Sequence, residues 1–248
     1  VTWDVAGPVV DGRDGTVGNP CPVWDRDTNV VWLFFNWNSA SDDEAKILAG
    51  QGERGVLVTY SQDEGNTWAD PVDLTELLKP AGWTWYAMGP GHGIQLANGR
   101  LVIPCNHAKL RANGTSSPYC CHTVYSDDHG ATWKLGGDVA PFTNECQVVE
   151  LADGTLYMNM RSYHDKNRRA IAISSDGGEH WTSSLDMALV EPVCHGSTVR
   201  YTLARDHGKN RLLFANPAST KRENMTVRLS YDEGQTRSEE HTSELQSR

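Results

Sequence analysis

One eight-residue pattern recurs along the chain. Ser61-Gln62-Asp63-Glu64-Gly65-Asn66-Thr67-Trp68 is the first copy, and Ser126-Asp127-Asp128-His129-Gly130-Ala131-Thr132-Trp133 is the second. Ser174-Ser175-Asp176-Gly177-Gly178-Glu179-His180-Trp181 is the third, with His180 in the Thr place. Ser230-Tyr231-Asp232-Glu233-Gly234-Gln235-Thr236 is the fourth, and Arg237 stands where Trp is expected. The shared pattern is Ser-x-Asp-x-Gly-x-Thr-Trp, and successive copies begin 65, 48 and 56 residues apart. Each follows a strand-like run, at 56–60, 121–125, 170–173 and 226–229. In such a turn the Asp carboxylate bonds backbone N–H groups, Gly supplies a special backbone angle and Trp folds a large ring onto the sheet. The pattern locks hairpins and does no chemistry. One such unit of short strands roughly every 50 residues is propeller spacing. At least four antiparallel blades follow, each with its pattern on a hairpin at the outer, bottom rim.

Composition agrees. The 23 glycines, nine tryptophans and eight tyrosines, with no long amphipathic run, favour an all-β fold. No run of apolar residues is long enough to span a membrane. The net charge of −10 argues against nucleic acid as a partner, but a local Arg cluster can still attract a small acid. The six cysteines include the adjacent Cys120-Cys121 and no CxxC spacing, so neither a disulfide framework nor a metal finger is expected. Asn113-Gly114-Thr115 and Asn224-Met225-Thr226 are glycosylation sequons only in a chain secreted by a eukaryote. The chain starts at Val1 without Met or signal peptide, and residues 237–248 resemble a translated sequencing adapter. The domain is therefore read as residues 1–236, truncated at both ends, and its compartment is left open.

The run from Asn144 to Arg161 carries the chemistry. Two β-rich segments flank Ala152-Asp153-Gly154, and Gly154 suits a three-residue hairpin loop. Leu151 then faces Thr155, and Glu145 lies directly opposite Arg161. Cys146, Val148, Leu156, Met158 and Met160 form an apolar face, and Glu145, Gln147, Asn159 and Arg161 share the other. A carboxylate facing a guanidinium deep in a sheet is costly unless paired or used. An ordinary cross-strand ion pair and a substrate-facing Arg beside a proton-handling Glu both fit these residues.

The repeats resemble the Asp boxes of sialidases (neuraminidases), and the resemblance runs over roughly residues 15–236. Gly18-Asn19-Pro20-Cys21-Pro22 is similar to the family's Asn-Pro-Cys-Pro segment. Residues 85–96, containing Gly89-Pro90-Gly91-His92, are similar to its Gly-Pro-Gly-His segment. Asn144-Glu145-Cys146-Gln147 and Asn159-Met160-Arg161 resemble its Glu and second-Arg strands. Ala215-Asn216-Pro217 with Arg222-Glu223-Asn224 resembles its third-Arg segment. The resemblance implies a six-bladed β-propeller, incomplete in this chain. It also implies an exo-alpha-sialidase that releases terminal sialic acid with retention, using a Tyr nucleophile and an acid/base Asp. By the same resemblance Glu145 activates the Tyr, and Arg161 and Arg222 grip the sialic acid carboxylate, a task suited to the bidentate guanidinium. Glu44 falls near the family residue that contacts the glycerol side chain. Asn19, Asn106 and His195 are further substrate-binding candidates, each also readable as loop polarity. No cofactor or metal is implied. The implied partners are sialylated glycoproteins, glycolipids or oligosaccharides.

The departures are specific. The family's first Arg, in an Arg-Ile-Pro strand, and its acid/base Asp have no match in residues 1–18, and Arg13-Asp14 is not that motif. The nucleophilic Tyr, expected past the fourth box, has no match either. The chain as written is therefore expected to be inactive. Gly89-Pro90-Gly91-His92-Gly93 lacks the Lys-Ser/Thr of a phosphate loop. His92, His107, His164 and His195 show no metal-ligand spacing. Arg168-Arg169 reads as surface charge. Two other functions compete: a non-catalytic propeller that binds sialylated glycans or protein, and an Asp-box glycosidase using two carboxylates on a neutral sugar. Paired Arg161 and Arg222 count against the latter.

Overall fold

The structure, a computed structural model, describes residues 7–12 and 14–238. Residues 1–6, Arg13 and residues 239–248 lie outside it. Four antiparallel sheets follow one another along the chain as propeller blades. The first blade is β1 (Gly15–Asp25), β2 (Val30–Ser39), β3 (Gly55–Ser61) and β4 (Val72–Asp73), with the short helices α1 (Glu44–Leu48) after β2 and α2 (Thr75–Leu78) after β4. The second comprises β5 (Trp83–Met88), β6 (Ile94–Gln95), β7 (Leu101–Lys109), β8 (Cys120–Ser126) and β9 (Lys134–Pro141). β5 and β6 both pair with β7, so the inner strand is one line broken at Gly89–Gly93. The third is β10 (Thr143–Glu150), β11 (Leu156–Ser162), β12 (Arg168–Ser174) and β13 (Thr182–Val190). The fourth is β14 (Ser197–Thr202), α3 (Ala204–His207), β15 (Arg211–Pro217) and β16 (Met225–Ser230).

Apolar layers between blades hold the assembly. Phe34, Val58, Met88, Ile103 and Trp133 join blades one and two. Cys121, Cys146, Val148, Met158 and Met160 join blades two and three. Val149, Tyr157 and Leu212 begin the layer between three and four. All six cysteines are free thiols.

Each box follows the third strand of its blade. In the first, Asp63 accepts from Ser61 Oγ and Thr67 N at 2.8 Å each and from Thr67 Oγ1 at 2.6 Å. The same bonds recur at Asp128 and Asp232, and at Asp176 the His180 ring replaces the Thr hydroxyl. The residue before each glycine is left-handed, with φ +61° at Glu64, +58° at His129, +73° at Gly177 and +61° at Glu233. The boxes also tie blades together, which the local reading did not anticipate. His129 Nδ1 meets Asp25 Oδ2 of blade one at 2.9 Å, and Glu233 accepts from Ala152 N of blade three. Arg237, in the Trp position of the fourth box, pairs with Asp186 at 2.7 Å.

Candidate active site

Register places the boxes and the candidate residues at opposite ends. Ser174 pairs with Leu156, which pairs with Glu150, while Glu145 lies at the far end of β10. The hairpin forms in the expected register, with Cys146 opposite Met160, Leu151 N bonded to Thr155 O at 2.7 Å and Gly154 at φ +86°. One detail differs. Thr143 pairs with Ser162, so Asn144 and Glu145 together oppose Arg161, and Glu145 has no one-to-one ladder partner. This bulge re-aims the strand end. The side chains still meet, with Arg161 Nη1 donating to Glu145 Oε2 at 2.9 Å. The pair is partly open, at 20% and 25% exposure. Gln147 and Asn159, expected beside it, are buried in protein contacts: Gln147 accepts from Thr198 N at 2.8 Å, and Asn159 from Arg169 Nε at 2.6 Å.

The same device recurs in blade one. β1 is bulged between Gly18 and Cys21, and Asn19 there has φ +52°. Asn19 Oδ1 accepts from Arg54 Nη2 at 2.8 Å, and Arg54 Nη1 also bonds Asn38 Oδ1 at 2.9 Å. Arg54 lies 4.2 Å from the centre of the Trp85 ring. Burial holds its pKa down to about 10, although Glu44 and Tyr119 pull it up. Trp85 Nε1 donates to the fully buried Asn106 at 3.2 Å. Tyr119 OH donates to Glu44 at the start of α1. Burial, reinforced by that bond, pushes the Tyr119 phenol well up. Tyr119 and Tyr163 lie 5.9 Å apart, and Arg161 sits 5.0 Å over the Tyr163 ring. An aromatic wall therefore connects the Asn19–Glu44–Asn106 group to the Glu145–Arg161 pair.

A second ion pair backs the first. Arg169, read from sequence as surface charge, is fully buried and bonds Glu191 at 2.6 Å, also fully buried. Arg169 Nη1 donates to Cys194 O at 2.7 Å, and Glu191 accepts from Ser162 N at 2.7 Å. These bonds fix the loop that carries Cys194 and His195, where the β-branched Val193 takes φ +56°. Such an angle is unusual for a β-branched residue. Burial pulls the His195 pKa down, with Glu145 acting in the opposite sense and Arg169 and Arg161 adding to it. Arg222 is exposed on the loop between β15 and β16. Burial raises the Cys194 thiol, and the charge of Arg222 counters it. Glu145 and Arg161 thus meet beside the loop that carries His195, whereas Arg222 is exposed and makes no direct bond to either of them among the described residues.

A cavity of about 560 Å³ lies elsewhere. It is lined by Trp24, His92, Glu150 and Arg200, at the box end of the inner strands. Sequence reading missed Arg54, Tyr119, Tyr163 and the Arg169–Glu191 pair. Only Tyr163 carried a signal, since it alternates onto the Arg161 side two residues later.

Known proteins resemble this chain in sequence and in fold. A profile of the BNR repeat-like domain family matches residues 1–246. An exo-alpha-sialidase of Aspergillus fumigatus is 36% identical over 247 residues, covering 93% of this chain and 55% of that protein. Sialidase-3 of Homo sapiens is 37% identical over 202 residues, covering 74% of this chain and 46% of that protein. The Hadza microbial sialidase Hz136 superposes with a TM-score of 0.80 at 29% identity, over 90% of this chain and 45% of that one. The chain spans about half the length of these relatives. No helix among the described residues is long and apolar enough to cross a membrane. With four boxed antiparallel blades and these relatives, the chain belongs to the BNR-repeat family of sialidase propellers.

Proposed function

We propose that the protein is an exo-alpha-sialidase acting on sialylated glycoproteins, glycolipids or oligosaccharides with retention, in a six-bladed propeller to which this chain contributes four blades. Arg161 and Arg222 grip the sialic acid carboxylate. Glu145 takes the proton of a Tyr nucleophile, and that phenolate attacks the anomeric carbon while an acid/base Asp protonates the departing glycosidic oxygen. Water then releases the sugar. Glu44, oriented by Tyr119, faces the glycerol side chain, and Arg54 positions Asn19. Asn106 and His195 support the pocket floor. The observation that carries the reading is the Arg161–Glu145 pair. It is held at a bulge, partly open, and its single mutual bond leaves donors and an acceptor oxygen to spare. An ion pair built only for stability gains little from such openness.

By the family resemblance, the acid/base Asp has no match in residues 1–18 and the Tyr none past the fourth box. Tyr119 is unsuited to be the nucleophile, because its phenol is pushed up and donates to Glu44 rather than Glu145. We therefore propose that this chain alone does not turn over a sialoside. The test is release of an aryl group from an aryl sialoside by the full-length protein, with an aryl galactoside as control. Turnover of the sialoside alone is the expected result. Binding without turnover by a full-length protein that holds the Tyr favours the non-catalytic propeller. Equal turnover of both substrates contradicts recognition of an anion.

A further inference from the structure

Away from that site, β7, β8 and β9 bring three metal-ligand side chains together. His107 pairs across the ladder with Cys120, and Asp138 pairs with His122, two residues along β8 on the same face. A His107 ring nitrogen, Cys120 Sγ and an Asp138 oxygen all lie within 4.8 Å of one another, and Nε2 is the nitrogen that faces Asp138. The His107 side chain is fully buried and its ring is fixed. It stacks on Trp83 at 3.4 Å and 8°, and its Nδ1 lies 3.0 Å from His122 Nδ1. When His107 donates from Nδ1 to His122, Nε2 keeps its lone pair. A metal-binding His typically has such a partner on its other nitrogen.

His107 Nε2 is a buried nitrogen without a hydrogen-bond partner. Buried polar atoms are rarely left so. The nearest carboxylate oxygen, Asp138 Oδ1, is 3.8 Å away. That is beyond hydrogen-bond reach. It is within about half an ångström of the separation, roughly 3.3 Å, of two such ligands on one tetrahedral ion with bonds near 2.0–2.1 Å. A cleft of about 390 Å³, lined by His107, Lys109, Cys120, Asp138 and Pro141, opens onto these atoms. Lys109 binds the other Asp138 oxygen at 2.9 Å, which accounts for Asp138 but not for the orphaned imidazole nitrogen.

We propose that His107, Cys120 and Asp138 bind a borderline divalent transition ion, Zn²⁺ by donor chemistry, leaving a fourth position open to the cleft. Imidazole and thiolate ligands select such an ion over Mg²⁺ or Ca²⁺. Bound metal cross-links three strands of the second blade. The sequence hides the site because its ligands lie 13 and 18 residues apart, on neighbouring strands rather than in a short motif.

The test is titration of the full chain with Co²⁺, read by thiolate-to-cobalt charge-transfer absorption. One equivalent should produce the band, Zn²⁺ should abolish it and Mg²⁺ should not. Cys120→Ser should remove the band, and Cys194→Ser should retain it. Asp138→Asn, at an exposed carboxylate, should weaken binding at least ~10-fold, the lower end of what loss of a ligand's supporting partner costs. If Cys120→Ser fails to fold, the Asp138→Asn titration decides. Absence of the band in the unaltered chain, its persistence in Cys120→Ser, or unchanged affinity in Asp138→Asn overturns the proposal.

Discussion

Two arginine–glutamate pairs stand beside each other in the third blade, and their surroundings give them different work. Arg161–Glu145 is at 2.9 Å with both side chains partly open. Arg169–Glu191 is at 2.6 Å with both side chains fully buried. The buried pair is engaged by protein on most sides, through Asn159, Ser162 N and Cys194 O. The open pair has one mutual bond and both side chains remain partly exposed. The same two residue types thus serve as a brace in one place and as a candidate binding surface in the other. Exposure distinguishes them; residue type does not.

The largest effect on folding should come from the brace. Arg169→Ala leaves Glu191 charged and buried, and should lower unfolding free energy by about 3–5 kcal/mol in a urea titration. A loss under ~1 kcal/mol would erase the contrast between the pairs. Arg161→Ala should do the reverse. Its stability change should stay within about 1 kcal/mol. If the full-length protein turns over an aryl sialoside as proposed, Arg161→Ala or Arg222→Ala should cut kcat/KM at least ~10²-fold, about 2.7 kcal/mol. A drop in stability with intact kcat/KM would make Arg161 a second brace.

Acid titration sharpens the contrast further. Burial, opposed by Arg169, raises the Glu191 carboxyl. Its folded pKa lies above the unfolded value near ~4.3, so this group loses stability as pH rises through that window. Glu191→Gln should flatten that slope. The box carboxylates have the opposite sign. Bonds from the Thr67 hydroxyl, Thr67 N and Ser61 hold Asp63 at about 2, and Thr236 and Ser230 do the same for Asp232. Their contribution is present above the unfolded value near ~3.9 and is lost as pH falls from there to about 2. Replacing both by Asn should shift the midpoint of acid unfolding; an unmoved midpoint would show that the boxes do not govern it. The smallest effect should come from His180→Thr in the exposed third box, within ~0.5 kcal/mol of the parent.

The repeat made the blade pattern legible, because box, strand and spacing are all local in sequence. The 144–161 hairpin was legible as well, since alternation and Gly154 fix its register from Cys146 to the turn. The bulge at Asn144–Glu145 was not, because two residues opposing one leaves no mark on alternation. Arg169 looked like surface because its partner Glu191 lies on a different segment of the blade. Arg54, Trp85 and Tyr119 reach their partners across blades, and no periodicity reports that. The Glu44–Tyr119 contact likewise depends on how blade two packs against α1.

The proposed function turns on recognition of a carboxylate by the open pair. The direct measurement is calorimetric titration of the full-length protein with sialic acid and with its methyl ester, repeated on Arg161→Ala. Saturable binding of the acid is expected. Binding of the ester, and of the acid to the variant, should be at least ~10-fold weaker, as when a charge-assisted bond worth about 1.4 kcal/mol or more is lost. Equal affinity for acid and ester, or undiminished binding by Arg161→Ala, would contradict that recognition.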